Sequence, residues 1–350
     1  MLRVVIVGLG PIGIACARAV AAEQDMELVG LVDSDPAKIG KDLGALAQAA
    51  SGSSSAAAAG VASEVDQEPS PVVTARIGAA VTAGAADVAI ITTTSRFDRV
   101  VPTLDEALGV GLAVVSSCEE MSWPWYRHAD LAGALDARAK SAGRAVLGAG
   151  INPGFIMDSL AVVLASMVRR VTAVRCERRV DASLRRLPLQ AKVGANLKPE
   201  EFEARARTGR LGHMGLTESV ALLAAGLGRQ AQPGSIRVTL DPVLATRAIP
   251  SSLGLIEPGR VAGMRNTASW EGQGLTIDLD LTMALGLTDA ADMIEVSGPV
   301  TLKLQVPGGV PGDSATVAAM LNYARVVHRA PAGLRTMLDL PTAGCPGRDK

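Results

Sequence analysis

The chain has 350 residues, enough for two domains that each bury a core. Lysine plus arginine number 34 and aspartate plus glutamate 35, which argues against a general nucleic-acid binder, and aromatics at 2% leave little surface for stacking bases. Cys16, Cys118, Cys176 and Cys345 stand far apart with no CxxC or Cys/His cluster, the pattern of reduced thiols rather than of disulfides or zinc. No apolar run reaches the roughly 18 residues of a membrane span, and the start lacks a signal-peptide pattern. The expectation is a cytoplasmic protein with no nucleic-acid partner, no membrane and no metal.

In chain order, Leu2–Val7 is a short β-branched run that reads as a buried strand, and Ile12–Ala22 reads as a helix. Glu27–Val32 is a second strand. Residues 45–71 turn serine-, alanine- and proline-rich, the composition of a flexible insertion. Asp87–Thr92 and Gly111–Ser116 are further strands, followed by helices over Val101–Leu108 and Ala129–Ala142. This alternation predicts a doubly wound parallel sheet over residues 1–151. Beyond it the rhythm changes. A helix over Ile156–Val168 precedes strands at Val171–Val180, Ile236–Leu240, Ala262–Glu271, Leu275–Met283 and Ile294–Val306, the pattern of an α+β domain with a mostly antiparallel sheet over 152–311. A helix at Ser314–Val327 belongs to a segment, 312–343, expected to return to the first domain, and 344–350 is a tail.

The cofactor signal is the clearest. Gly8-Leu9-Gly10-Pro11-Ile12-Gly13 is a G-x-G-x-x-G that follows a strand and opens a helix, with Asp33 about 20 residues on, at the end of the second strand. The glycines allow a tight turn and close backbone approach, the helix N-terminus faces the pyrophosphate, and the acid takes ribose hydroxyls. A Rossmann domain follows. Asp33 favours NAD(H); NADP(H) stays open, because Ser34 can donate to a phosphate and Lys38 and Lys41 are near. Thr93, Thr94, Cys118 and Asn152, each after a strand, complete the expected cofactor set.

Ile39–Gly44, Ser116–Met121, Gly150–Asp158, Gly212–Ser219, Gly312–Thr316 and Gly333–Pro341, taken in order, resemble the native amine dehydrogenase and 2,4-diaminopentanoate dehydrogenase group of the dihydrodipicolinate reductase-like superfamily. The resemblance runs along nearly the whole chain outside the insertion. It implies reversible reductive amination: a small ketone or aldehyde and ammonia form an imine, which accepts hydride from the nicotinamide while a second domain closes over the substrate. Dihydrodipicolinate reductase itself carries paired histidines and a Ser-Gly-Thr turn, and Val180–Gly194 has neither. Another reductase of a small carbonyl or imine, or a nicotinamide-binding regulator without turnover, remain the alternatives. A homodimer is the expected assembly.

The resemblance also implies an amine-handling glutamate after the Cys-Glu-Glu strand. Glu119 and Glu120 both sit at the carboxyl end of a sheet strand, where open α/β sheets place ligands, and both also fit the first turn of a helix. Alternation does not separate them; Glu119, nearest the strand end, is preferred. Asn152, Pro153, Phe155, Gln190 and His213 are the candidate substrate-binding residues, Asn152-Pro153-Gly154 being equally a hinge turn. Arg185, Arg186 and Lys192 fit a charged substrate or a solvated loop. Trp123, Trp125 and Tyr126 read as packing residues.

Overall fold

The computed structural model describes residues 1–51, 70–183, 187–209 and 211–341. The chain divides into two units, Met1–Gly154 with the segment from Pro311 onward, and Phe155–Val310. The first contains β1 (Leu2–Val7), α1 (Pro11–Ala22), β2 (Met26–Val32), α2 (Leu43–Ser51), β3 (Val73–Thr74), α3 (Ile77–Ala80), β4 (Val88–Ile91), α4 (Phe97–Gly109), β5 (Ala113–Ser116), α5 (Trp125–Ser141) and β6 (Ala145–Gly148). The second holds α6 (Ser159–Ala165), β7 (Ala173–Asp181), α7 (Leu187–Lys192), α8 (Pro199–Arg207), α9 (Leu216–Gly226), β8 (Arg237–Leu244), β9 (Val261–Gly272), β10 (Leu275–Ala284), β11 (Ala291–Ser297) and β12 (Thr301–Pro307). The chain then rejoins the first unit as α10 (Gly312–Val327) and β13 (Gly333–Arg335).

The first unit's sheet runs β13-β6-β5-β4-β1-β2-β3, all parallel. Every residue of β4, β5 and β6 is buried, because a parallel sheet is covered on both faces, and that is why these strands are unbroken apolar runs. α10 packs on α1 and β5, and its Arg325 donates to Asp25 (2.8 Å) and Glu23 (2.7 Å) at the α1–β2 connection. Strand order reverses between β1 and β4, so the carboxyl ends of β1, β4 and β5 lie side by side at the switch point of the sheet.

The second unit's sheet runs β12-β11-β7-β10-β9-β8, antiparallel at every pairing except β7 with β10. α6 packs on β11 and α9 on β9 and β10. Covered on that face, the strands alternate: Met264, Asn266, Ala268 and Trp270 of β9 are buried while Arg265 and Glu271 are exposed.

Beyond a few residues at their ends, the elements read from the sequence differ in three stretches. Residues 45–51, taken as the start of an insertion, complete α2: alanine favours a helix, and Leu43 and Leu46 are buried. The remainder of the insertion, 52–69, lies outside the described residues, as do Arg185, Arg186 and the tail 344–350. The expected strand Ile294–Val306 is the hairpin of β11 and β12; Gly298-Pro299 turns the chain, since proline cannot donate to a ladder and a side chain at 298 would meet the Arg169 and Arg170 carbonyls. The expected helix Ile156–Val168 is helical over Ser159–Ala165 alone. Asp158 caps it, its carboxylate accepting the Ser159 N–H at 2.6 Å, so the helix begins at the cap.

Candidate functional site

The glycine turn leaves β1 at Gly8, whose φ of +89° suits glycine. A side chain at Gly13 would collide with the Gly8 carbonyl, and one at Gly8 would meet Thr92 and Thr93. A side chain at Gly10 would meet nothing within 4 Å. Two glycines therefore close the turn on itself, and the third leaves open space before the N-terminus of α1, where Pro11 takes a first-turn position. This is the form a pyrophosphate cradle takes, so the residues present fit a dinucleotide. Thr92, which the sequence did not single out, secures the turn: its Oγ1 donates to the Gly8 carbonyl at 2.7 Å.

Asp33 is partly buried beside this turn. Its Oδ2 accepts from the Leu9 N–H (2.7 Å) and from Lys38 Nζ (2.9 Å), and its Oδ1 from the Asp35 N–H (2.9 Å). Burial pushes its pKa up, but Lys38 and the two N–H groups outweigh burial and hold the carboxyl below the usual aspartate range. Asp33 is thus an ionised acceptor whose charge Lys38 partly offsets. Ser34 is exposed, Thr93 is exposed beside Gly8, and Thr94 accepts the Arg96 N–H at 3.3 Å.

After β5 the chain makes a single 3₁₀ turn, Glu119–Ser122. Cys118 lies in the core, its thiol pushed upward by burial and further by the Glu119 charge, and its N–H donates to Ser116 Oγ. Gly148, at the end of β6, abuts the turn so closely that any side chain there would strike the Met121 carbonyl. Within the turn the two glutamates part company. Glu120 is 7% exposed. It faces inward, its Oε2 accepting the N–H of Phe97, the first residue of α4, at 2.7 Å and lying 3.3 Å from His128 Nε2. Glu119 is half-buried, and its backbone carbonyl accepts from Ser122 Oγ at 2.8 Å. The sequence missed His128 and Phe97 as partners of Glu120, and only the fold supplies them.

The remaining candidates divide between the units. Asn152 and Pro153 share a cis peptide in the first unit. Phe155, Gln190 and His213 belong to the second. Phe155 is half-buried; Gln190 is fully buried, donating to the Ser183 carbonyl at 3.1 Å and accepting the Ser252 N–H. His213 is half-buried, its N–H donating to Asn266. Lys192 is exposed at the end of α7. Trp123 and Trp125 pack ring to ring at 5.1 Å and Tyr126 is buried. No group of three metal-ligating side chains occurs among the described residues, and no helix there is long and apolar enough to cross a membrane.

The chain is 28% identical to the 2,4-diaminopentanoate dehydrogenase of Acetoanaerobium sticklandii, over 97% of this chain and 93% of that protein. It is 25% identical to the amine dehydrogenase of Streptomyces virginiae, over 71% of this chain and 66% of that one. The structure of the amine dehydrogenase from Mycobacterium smegmatis shares the fold, with a TM-score of 0.81 over 99% of this chain and 97% of that chain at 23% identity. The model of the 2,4-diaminopentanoate dehydrogenase C-terminal domain matches residues 155–347, more than half of the chain. The chain therefore belongs to the 2,4-diaminopentanoate dehydrogenase family.

Proposed function

We propose that this protein catalyses the reversible reductive amination of a small ketone or aldehyde with ammonia, with a nicotinamide dinucleotide on the glycine turn and Glu119 handling the amine proton. The bound nicotinamide supplies or accepts the hydride. Gly8, Gly10 and Gly13 admit the pyrophosphate to the N-terminus of α1, where Ile12 lies in the first turn, and Asp33 takes the ribose hydroxyls. Glu119 accepts a proton from ammonium so that ammonia adds to the carbonyl, returns a proton to the carbinolamine hydroxyl as water leaves, and, ionised again, stabilises the iminium cation before reduction. The observation that carries this reading is the division of labour in the turn: Glu120 is committed to Phe97 and His128, while Glu119 stands half-buried at the carboxyl end of β5.

NAD(H) is the preferred cofactor in this reading, because Asp33 repels a 2′-phosphate. The first unit is the dinucleotide domain and the second the substrate domain, with Phe155 and His213 toward the substrate. The working form is a cytoplasmic homodimer.

The test follows reduced nicotinamide absorbance over a panel of short ketones and aldehydes, with and without ammonia. Oxidation that requires ammonia is expected. Glu119→Gln should lower turnover by roughly 10²-fold or more, the scale of a lost general base, with NADH affinity little changed; Glu120→Gln should be milder. Cofactor binding without turnover anywhere on the panel would favour a regulatory protein instead.

A further inference from the structure

α5 is broken at His128. Its backbone angles, φ −135° and ψ 46°, leave the helical region although its N–H still donates to the Pro124 carbonyl at 2.9 Å. Here the break turns the imidazole onto Glu120, with Nε2 3.3 Å from Oε2 and the ring tilted against Phe97 at 5.7 Å between centroids. Nε2 is closed off from solvent and makes no hydrogen bond among the described residues, so Glu120 is its ion-pair neighbour rather than its acceptor. Glu120 itself accepts the Phe97 N–H, and its own N–H donates to the Ser95 carbonyl at 3.3 Å. One carboxylate thereby joins the Glu119–Ser122 turn, the start of α4 and the break in α5. Arg96 and Asp98 of the α4 start pair with each other at 3.0 Å, Arg96 sensing the Glu120 charge and Asp98 that of His128, and Glu119 is the adjoining residue.

We infer that His128 is a positioning residue for the reaction, acting through Glu120 on Glu119. The inference rests on the reading of Glu119 as the amine-handling group. It has a geometric side, because a buried carboxylate that accepts a backbone N–H and is packed against an imidazole fixes the turn that carries Glu119. It has an electrostatic side as well. The ring is the group that faces the Glu120 carboxylate; with it removed, a bare carboxylate at 120 disfavours a second negative charge on the neighbouring residue.

His128→Leu fills the ring's space with an apolar group, and His128→Gln restores a polar group there. The leucine variant should lose about tenfold or more in kcat, the scale of a misplaced reacting group, while the Kd for NADH from fluorescence titration stays within about twofold. The acid limb of kcat/KM should move to higher pH by about half a unit or more. His128→Gln should recover most of kcat but leave the limb displaced. His128→Leu combined with Glu120→Gln should be no worse than the weaker single variant, since both act on one unit. Thermal unfolding checks that each variant is folded, and if the leucine variant is not, His128→Gln and Glu120→Gln carry the test through the acid limb. Wild-type kcat with an unmoved limb in the folded His128 variants overturns the inference. Turnover retained in Glu119→Gln overturns the assignment of Glu119, and this inference with it, so the two failures are told apart by which variant stays active.

Discussion

The parallel sheet of the first unit and the mixed sheet of the second bury their residues by opposite rules. β4, β5 and β6 are buried at every position, so nothing polar can face outward along them and their chemistry is pushed to the strand ends. Thr92 and Glu119 follow β4 and β5, and Gly8 follows β1, whose last four residues are buried. β11 and β12 alternate instead, and charged side chains sit along the whole length of the second sheet: Arg175, Glu177, Arg265, Asp280, Glu295 and Lys303. The contrast separates two uses of polar groups. In the first unit the proposed site residues gather at the carboxyl ends of the strands; in the second the charged groups are spread over a face and pair along the sheet.

The largest effect expected in the second unit breaks this pattern, because one of its ion pairs is in the interior. Arg178 and Asp292 are 5% and 3% exposed in their side chains. Both Asp292 oxygens accept from Arg178 Nη1 at 2.6 Å. The pair also grips Val310, whose N–H donates to Asp292 (2.7 Å) and whose carbonyl accepts from Arg178 Nη2 (2.7 Å). Asp292→Ala strands a buried guanidinium and should cost about 3–5 kcal/mol in denaturant unfolding, while an Arg178→Met, Asp292→Leu pair should lose less. A loss under about 1 kcal/mol for the single variant would mean that water reaches Arg178.

How much of this was legible follows from the range of each interaction. The G-x-G-x-x-G spacing is local, and so are the apolar runs of β1, β4 and β5, so the dinucleotide domain could be read directly. The start of α6 and the hairpin of β11 and β12 depend on Asp158 and on Gly298-Pro299, whose capping and turn signals were present but weaker than the apolar pattern around them. Thr92 could not be read, because its partner Gly8 lies 84 positions away. Glu119 and Glu120 were left joined by the sequence, since alternation ends with β5; burial and the contacts to Phe97 and His128 part them. The break at His128 follows no helix-breaking residue: the residues on either side of it are Arg127 and Ala129.

A smaller effect tests the ligand-facing edge of the first sheet. Asp33→Ala removes the proposed acceptor of ribose hydroxyls and should weaken NAD(H) by about tenfold, the worth of one charge-assisted hydrogen bond, with NADP(H) weakened less. Equal losses for the two cofactors would detach Asp33 from the choice between them. The pH dependence has a definite sign. Because the folded carboxyl titrates below its usual range, its contribution is fully present above the ordinary aspartate pKa and is lost as pH falls through the lowered value. NADH affinity titrated downward in pH should therefore hold through mildly acidic conditions before it falls.

The smallest effect is expected on the open face of the second sheet. Arg265 of β9 reaches across to Asp280 of β10 and binds both its oxygens, yet its side chain is 54% exposed. Its pKa is raised, first by the hydrogen bond to Asp280 and then by that charge, but water and salt screen an exposed pair. Arg265→Ala should cost no more than about 1 kcal/mol, less still at high ionic strength, against several for Asp292→Ala in the same sheet. Unfolding at two salt concentrations and at two protein concentrations checks this. A loss as large as that of Asp292→Ala, insensitive to salt and growing with protein concentration, would mean that Arg265 is desolvated in the working assembly. The face would then be where two copies of the proposed homodimer meet, and its charges would serve a partner rather than the sheet alone.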